Sequence, residues 1–331
     1  MKKNYKVLVT TVPFASKDKS PLEILDAANI DYVINPLNKK LTEDELEGMV
    51  GDYDGIIAGT EVISARVLRK AKKLKHISRV GIGLDSVDLL EARKNGLKVS
   101  YTPDAPAPAV AELTIGMMLT LLRSIHLSNS NLHTGQWNRF FGRRLSEVTI
   151  GIIGVGRIGT GVINHLKGFN SPRTLANDRS IADKKRDDLP NVEWVSKNDI
   201  YENSDIISVH LPLTVETKDM IKEKELLLMK PDAMVINSSR GGIINELDLF
   251  NIMNSGHLSG AAIDVFEKEP YDGLLKSIDR CLLTAHMGSM SIDCRTRMEI
   301  EATEEAVRFF SGHKLKGEVP EDEYLVQLAG I

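Results

Sequence analysis

Four features of the sequence, separated by long stretches of chain, have the chemistry of a site that moves a hydride and a proton. The glycine loop Gly154-Val-Gly-Arg-Ile-Gly159 offers backbone access to a dinucleotide. Arg240 carries a guanidinium that can hold a carboxylate. His286 can exchange a proton near neutral pH, and Glu269 is a carboxylate that can support it. This set predicts oxidation and reduction of a 2-hydroxy acid.

The glycine loop has the local context that a dinucleotide site needs. A buried strand pattern at residues 148–153 precedes it, and an apolar helix pattern at residues 158–166 follows. Such a turn places a pyrophosphate at a helix N-terminus. Asp178 ends the next strand, where a carboxylate binds the ribose of NAD and repels the 2′-phosphate of NADP. The sequence predicts NAD, although Arg179 could instead stack on adenine or meet a 2′-phosphate.

These residues need a scaffold, and the hydrophobic pattern predicts one. Short β-branched runs alternate with amphipathic stretches, which implies parallel sheets covered by helices. The first series has strands at residues 6–11, 31–35, 55–59, 76–80 and 97–101 and helices at residues 21–29, 43–50, 65–74 and 87–94. The second series has strands at residues 148–153, 174–177, 192–195, 206–211, 233–238, 258–265 and 281–285. The predicted fold class is α/β with two doubly wound parallel-sheet domains.

Two further segments complete the predicted organisation. Three prolines among small residues at 102–108 mark the crossing between the domains. The apolar run at residues 109–126 predicts a helix buried between domains or subunits, too short for a membrane span. A long charged helix at about residues 291–312 ends the second series.

Arg240, Glu269 and His286 each have an ordinary interpretation when taken singly, as a loop charge, part of a solvated turn and a core residue. All three, however, follow predicted strands of one parallel sheet. Ligands bind at the carboxyl ends of the strands in such folds. Their shared position therefore favours a common site.

Composition excludes several classes of function. The chain of 331 residues has 42 basic and 46 acidic residues, so no polybasic field predicts nucleic-acid binding. Cys281 and Cys294 lie apart from any Cys/His cluster, which disfavours a disulfide framework and a metal site. The short N-terminal apolar run is unlike a signal peptide, and we expect a cytoplasmic protein without membrane association.

Seven motifs, in order along the chain, resemble those of the D-isomer-specific 2-hydroxyacid dehydrogenases. They are Arg79-Val-Gly-Ile-Gly-Leu-Asp-Ser-Val-Asp88, Val110-Ala-Glu-Leu-Thr114, the glycine loop, His210-Leu-Pro-Leu-Thr214, Asn237-Ser-Ser-Arg-Gly-Gly242, Asp264-Val-Phe-Glu-Lys-Glu-Pro270 and Thr284-Ala-His-Met-Gly288. Two positions depart from the usual pattern: Ala285 replaces a proline and Asn245 replaces an aspartate.

The resemblance implies roles for many residues of this chain. Arg240, Glu269 and His286 would be catalytic, and Asp264 would lie near the nicotinamide carboxamide. The implied NAD-binding set is Gly154, Gly156, Arg157, Ile158, Gly159, Asp178, His210, Leu211, Pro212, Thr217, Ser238, Ser239, Arg240, Asp264, His286 and Gly288. A Rossmann NAD-binding domain at residues 103–302 would be inserted into a flavodoxin-like substrate domain at residues 1–102 and 303–331. A homodimer is expected.

Within the family, the chain resembles the D-3-phosphoglycerate dehydrogenases, in a short form without a C-terminal regulatory domain. Arg79, Val80 and Gly81, with Arg139 reaching across the dimer and Arg240, would bind the anionic substrate. This implies 3-phosphoglycerate and 3-phosphohydroxypyruvate as the substrate pair. Arg143 and Arg144 either extend an anion site or are exposed charges on the dimer arm.

Two alternatives remain. A glyoxylate, hydroxypyruvate or other 2-keto acid reductase would share the reacting groups but have a different pocket. A protein that senses NAD(H) and acts as a corepressor could keep the whole constellation without turnover.

Overall fold

The chain divides into two units, which the computed structural model describes for residues 5–170, 172–179 and 188–328. One unit consists of Met1–Pro106 and Met290–Ile331, and the other of Ala107–Ser289. Residues 1–4 and 329–331 of the predicted substrate domain lie outside the described residues. The chain enters the second unit four residues later than predicted and leaves it thirteen residues earlier.

The first unit is built on a parallel sheet. Its strands are β1 (Lys6–Val9), β2 (Asp31–Ile34), β3 (Gly55–Ala58), β4 (His76–Arg79) and β5 (Lys98–Tyr101). Its first helices are α1 (Ser20–Ala27), α2 (Glu43–Met49), α3 (Ala65–Lys70) and α4 (Leu89–Lys94). The strand order β2-β1-β3-β4-β5 is that of the flavodoxin-like fold. The predicted strands are therefore confirmed, within one or two residues at each end.

Helix α11 (Ile292–Phe310) belongs to this first unit, which corrects the predicted domain edge at residue 302. It packs on α1, β3 and β4. Ser78 of β4 donates a hydrogen bond to the carbonyl of Ala302 at 2.6 Å. Gly55 of β3 leaves room for the ring of Phe310, since a Cβ there would lie 2.8 Å from it. The charged surface of α11 concealed this apolar face from the sequence pattern. A last helix, α12 (Glu321–Leu328), was not predicted.

The second unit also has a parallel sheet. Its strands are β6 (Ile150–Ile153), β7 (Thr174–Asn177), β8 (Val192–Trp194), β9 (Ile206–Val209), β10 (Met234–Asn237), β11 (Gly260–Ile263) and β12 (Cys281–Leu283). The helices among them are α7 (Arg157–Leu166), α8 (Lys197–Asn203), α9 (Glu223–Leu228) and α10 (Glu246–Ser255). The order β12-β11-β10-β9-β6-β7-β8 is a Rossmann order with one added strand. The predicted α/β class is confirmed.

The apolar run predicted as one helix at residues 109–126 is two helices in the structure. Helix α5 (Ala107–Leu122) ends before Ser124, whose backbone has φ +48°, and α6 (Ile125–His133) leaves at 65°. Among the described residues, no single helix is long and apolar enough to cross a membrane, although α5 and α6 together pass that test. Helix α5 is buried against α7, where Ala111 faces Gly161 closely.

Candidate active site

The residues predicted to do chemistry follow three neighbouring strands. Arg240 comes after β10, Glu269 after β11 and His286 after β12. These strands are adjacent and parallel in the sheet of the second unit. Their carboxyl ends therefore lie side by side, at the edge where ligands bind in a doubly wound fold.

His286 and Glu269 form a direct pair. The Nδ1 atom of His286 donates to the Glu269 carboxylate, with both oxygens at 3.0 Å. Their side chains are 38% and 24% exposed, so the pair is partly accessible. Because Nδ1 is engaged, Nε2 is the nitrogen that can exchange a proton with a bound molecule.

Asp264 organises the segment that carries His286. Its carboxylate accepts hydrogen bonds from Thr284 Oγ1 at 2.6 Å, Met287 N at 2.7 Å and Gly288 N at 2.8 Å. Its backbone carbonyl accepts from His286 N at 2.8 Å. Burial raises the pKa of Asp264, and these donors oppose that shift. These hydrogen bonds hold the backbone of His286 at φ +52°, a conformation that residues other than glycine seldom adopt.

The turn that carries Arg240 is held by Asn237. The Asn237 side chain donates to the Arg240 carbonyl at 2.8 Å and accepts from Ser239 N at 3.1 Å. The turn packs tightly on the segment that leads to Glu269. A Cβ on Gly241 would lie 2.0 Å from the carbonyl carbon of Phe266, so a side chain there would push the two segments apart. The guanidinium of Arg240 bonds the carbonyl of Ser239 at 2.7 Å.

Asn245, one of the two departures from the family pattern, has a structural reason. Its side-chain oxygen caps α10 by accepting from Asp248 N at 3.0 Å, and its amide nitrogen donates to Asp219 Oδ1 at 3.0 Å. An aspartate at position 245 would set two carboxylates against each other. The structure gives no reason for Ala285.

The glycine loop has the geometry of a dinucleotide cradle. Gly154 has φ +94°, and a Cβ there would lie 2.5 Å from the carbonyl oxygen of His210. A Cβ on Gly159 would lie 2.1 Å from the carbonyl oxygen of Gly154, so α7 begins close beneath the turn. Nothing lies within 4 Å of a Cβ built on Gly156, so the loop is open there. Arg157 and Ile158 open α7. These residues fit a pyrophosphate at the N-terminus of the helix.

Asp178 stands at the end of β7, as predicted. Its Oδ2 atom accepts a hydrogen bond from the backbone N–H of Val155 at 2.7 Å. The carboxylate thus also fixes the glycine loop, a contact that the sequence did not reveal.

Four of the predicted cofactor residues, His210, Leu211, Pro212 and Thr217, lie in the segment after β9. His210 contacts Ser208 Oγ at 2.9 Å, and burial lowers its pKa to about 4, so its ring is neutral at pH 7. Thr217 Oγ1 donates to the carbonyl of Pro212 at 2.6 Å, which closes the turn after Leu211. Ser238, at the end of β10, shares a 3.0 Å hydrogen bond with Thr114 of α5. Thr114 was not predicted as a site residue, although it lies in the second of the seven motifs.

The predicted substrate-binding residues lie in both units. Arg79, Val80 and Gly81 are at the end of β4; Arg79 is buried, and its guanidinium donates to the carbonyl of Val80. Arg139 is exposed in the second unit.

Arg143 and Arg144 are neutralised within the second unit. Arg143 pairs with Asp205 at 3.1 Å, and Arg144 pairs with Glu147 at 2.8 Å. This favours the interpretation of both as surface charges. Among the described residues, no three His, Cys, Asp or Glu side chains are grouped to hold a metal ion.

The glycine loop, the paired His286 and Glu269, and an arginine after the neighbouring strand β10 define the class: an NAD-dependent dehydrogenase. Comparison with known proteins identifies the family within this class. The family model described as "D-isomer specific 2-hydroxyacid dehydrogenase, NAD binding domain" matches residues 115–288. The chain therefore belongs to the D-isomer-specific 2-hydroxyacid dehydrogenase family, which confirms the resemblance of the seven motifs, and NAD is its cofactor.

Its relatives differ in the substrate that their names record. A hydroxypyruvate reductase of Thermotoga maritima is 35% identical over 81% of this chain and 88% of its own length. A D-3-phosphoglycerate dehydrogenase of Methanocaldococcus jannaschii is 37% identical over 75% of this chain, but the match spans only 48% of that protein. The structure of NAD-bound 3-phosphoglycerate dehydrogenase from Entamoeba histolytica aligns with a TM-score of 0.80 and 26% identity, covering 96% of this chain and 99% of that one.

The hydrogen bonds of Asp264 lead to a prediction. Asp264→Asn retains the side-chain shape but replaces an acceptor oxygen with an amide donor, which faces a backbone N–H. We expect the segment around His286 to shift and kcat to fall by about 100-fold, as misplacement of a reacting group by about 1 Å does. Thr284→Val, which removes one donor and leaves the carboxylate, is the milder control. Wild-type kcat in Asp264→Asn would contradict this positioning role, and NADH titration separates it from a loss of cofactor affinity.

Proposed function

We propose that the enzyme interconverts 3-phosphoglycerate and 3-phosphohydroxypyruvate, with Arg240, Glu269 and His286 as its catalytic residues. The observation that supports the reacting groups is the bond from His286 Nδ1 to Glu269. This bond leaves Nε2 of His286 available to the substrate. Arg240 follows a strand of the same sheet and lies at the same carboxyl edge.

The chemical roles follow from the residue types. NAD, when bound, supplies the nicotinamide carbon that accepts or donates a hydride. Arg240 binds the substrate carboxylate with parallel N–H donors and polarises the oxygen on C2. In reduction His286 donates its Nε2 proton to that oxygen, and in oxidation the neutral ring removes it. Glu269 orients the ring and stabilises its protonated form.

Substitutions at three positions test these roles. Arg240→Ala should weaken both substrate affinity and turnover, and Arg240→Lys should not restore them because lysine lacks the planar fork.

His286→Ala should lower kcat by about 100- to 10,000-fold with NADH affinity retained. Glu269→Gln keeps an acceptor for Nδ1 but removes the charge, so the pH profile of the reduction rate should move to lower pH. Steady-state kinetics across pH measures all three, and an unchanged profile for Glu269→Gln would remove that residue from its role.

Arg79 supports the choice of a phosphorylated substrate. It lies at the carboxyl edge of β4, the side of a doubly wound sheet where ligands bind. A phosphate requires cationic donors, because a neutral pocket holds its charge poorly. Gly81, at φ +128°, leaves room for the guanidinium, since a Cβ there would lie 2.9 Å from Arg79 Nη1.

A second candidate is reduction of hydroxypyruvate or glyoxylate. Arg79 is only 7% exposed and already donates to the carbonyl of Val80. A side chain engaged in this way could serve the fold of its own unit rather than a ligand. The relative from Thermotoga maritima, which matches over most of its length, is named a hydroxypyruvate reductase.

Kinetics with the two keto acids decides between these candidates. We expect kcat/KM to be higher for phosphohydroxypyruvate than for hydroxypyruvate, and Arg79→Ala to lower the former by about 30-fold or more. The same substitution should leave hydroxypyruvate reduction nearly unchanged. Arg69→Ala, which removes an exposed arginine of the same unit, is the matched control. A wild-type enzyme without preference for the phosphate would defeat the first candidate in favour of the second.

We also propose that the enzyme is a homodimer that associates through residues 132–144. Every residue of this segment is exposed, and its aromatic side chains include Trp137 at 81% and Phe141 at 106% of full exposure. Aromatic residues concentrated on an exposed surface are typical of protein interfaces. Arg139 lies among these aromatic residues. In the proposed dimer, Arg139 of one subunit would lie near the substrate bound by the other subunit.

Removal of the aromatic surface tests this association. Trp137→Ala combined with Phe141→Ala should convert a dimer into a monomer in sedimentation velocity, because large aromatic anchors dominate interface energies. Leu325→Ala, which truncates an exposed apolar residue of the other unit, should leave the sedimentation coefficient unchanged. A monomeric wild-type enzyme, or a double variant that remains dimeric, would refute the proposed interface.

A further inference from the structure

Arg179 is a residue whose charge would suit NADP better than NAD. An arginine after the second strand of a Rossmann sheet is well placed to bind the 2′-phosphate of NADP. Arg179 directly follows Asp178 at that position. In the second unit, however, Arg179 forms an ion pair with Glu216. The charge on its guanidinium is thus already met by a carboxylate of the same chain.

The location of Glu216 shows that this pair spans the cofactor cradle. Arg179 follows β7, and Glu216 lies in the segment after β9. The sheet order places β6 between β7 and β9, and the glycine loop follows β6. The ion pair therefore connects the segments that follow the two neighbours of β6. It joins them at the same edge of the sheet where the dinucleotide binds.

The charges around Arg179 oppose a phosphate. Asp178 and Glu216 carry two negative charges against the single positive charge of Arg179. The Asp178 carboxylate is also fixed in place by the backbone N–H of Val155 at 2.7 Å. A 2′-phosphate would have to displace Glu216 from the guanidinium and then lie near both carboxylates. The 2′-hydroxyl of NAD meets no such repulsion.

We propose that Glu216 is a specificity-determining residue that excludes NADP by occupying Arg179. The side chains of Arg179 and Glu216 are 68% and 74% exposed, so water and salt screen the pair. Its effect on cofactor choice is therefore moderate and depends on ionic strength. Once Glu216 is neutralised, the same arginine attracts the 2′-phosphate.

The test uses binding of the reduced cofactors, which needs no substrate and is independent of which keto acid the enzyme reduces. Titration of NADH and NADPH, followed by their fluorescence, gives the two dissociation constants. We expect Glu216→Gln to tighten NADPH binding by about three- to tenfold, the range that an exposed ion pair and one removed repulsion allow. NADH binding should change by less than about twofold, and added salt should reduce the gain for NADPH.

Two further variants make the test specific. In Glu216→Gln combined with Arg179→Ala, the gain for NADPH should disappear, because the arginine that would bind the phosphate is absent. Glu202→Gln removes the same charge near the end of α8, at the opposite edge of the sheet, and should leave both constants unchanged. Unchanged NADPH binding in Glu216→Gln would overturn the proposal. An equal gain without Arg179, or in Glu202→Gln, would also overturn it, since a general change in surface charge would then explain the result.

Discussion

The buried carboxylate of Asp264 is the interaction on which the arrangement of the site depends. It accepts three hydrogen bonds from the segment at residues 284–288, and that segment carries His286 in a conformation that the backbone seldom adopts. In this conformation Nδ1 of the ring lies 3.0 Å from both carboxylate oxygens of Glu269. A buried charge is costly unless hydrogen-bond donors surround it. The buried carboxylate of Asp264 and the donors of residues 284–288 therefore stabilise each other.

The three candidate site residues lie in separate segments, each of which follows a different strand of the parallel sheet. Arg240, Glu269 and His286 each follow a different strand, and no two of them share a turn. Their alignment is set by the strand register, not by the flexibility of a single loop. Gly241 adds a second constraint, since its missing side chain lets the Arg240 turn rest against the segment before Glu269. These three side chains are thus placed by rigid elements, which favours precise geometry.

The sequence predicted the elements of this fold well, because buried parallel strands form nearly continuous apolar runs. It also placed Arg240, Glu269 and His286 after strands that prove to be adjacent. It failed where tertiary contacts decide the outcome. The break at Ser124 has no proline or glycine to announce it, and α11 joins the first unit through contacts such as Ser78 with Ala302. The pairs of Asp178 with Val155 and Arg179 with Glu216 link segments that only the folded sheet brings together.

The position of α11 has a consequence for how the protein emerges from the ribosome. The sheet of the first unit is made within the first 101 residues, but the helix that covers part of β3 and β4 ends at Phe310. At typical rates of synthesis, roughly 10 to 40 s pass between the synthesis of β5 and the completion of α11, while the second unit is translated. During that interval this apolar face of the sheet lacks the helix that covers it in the folded protein.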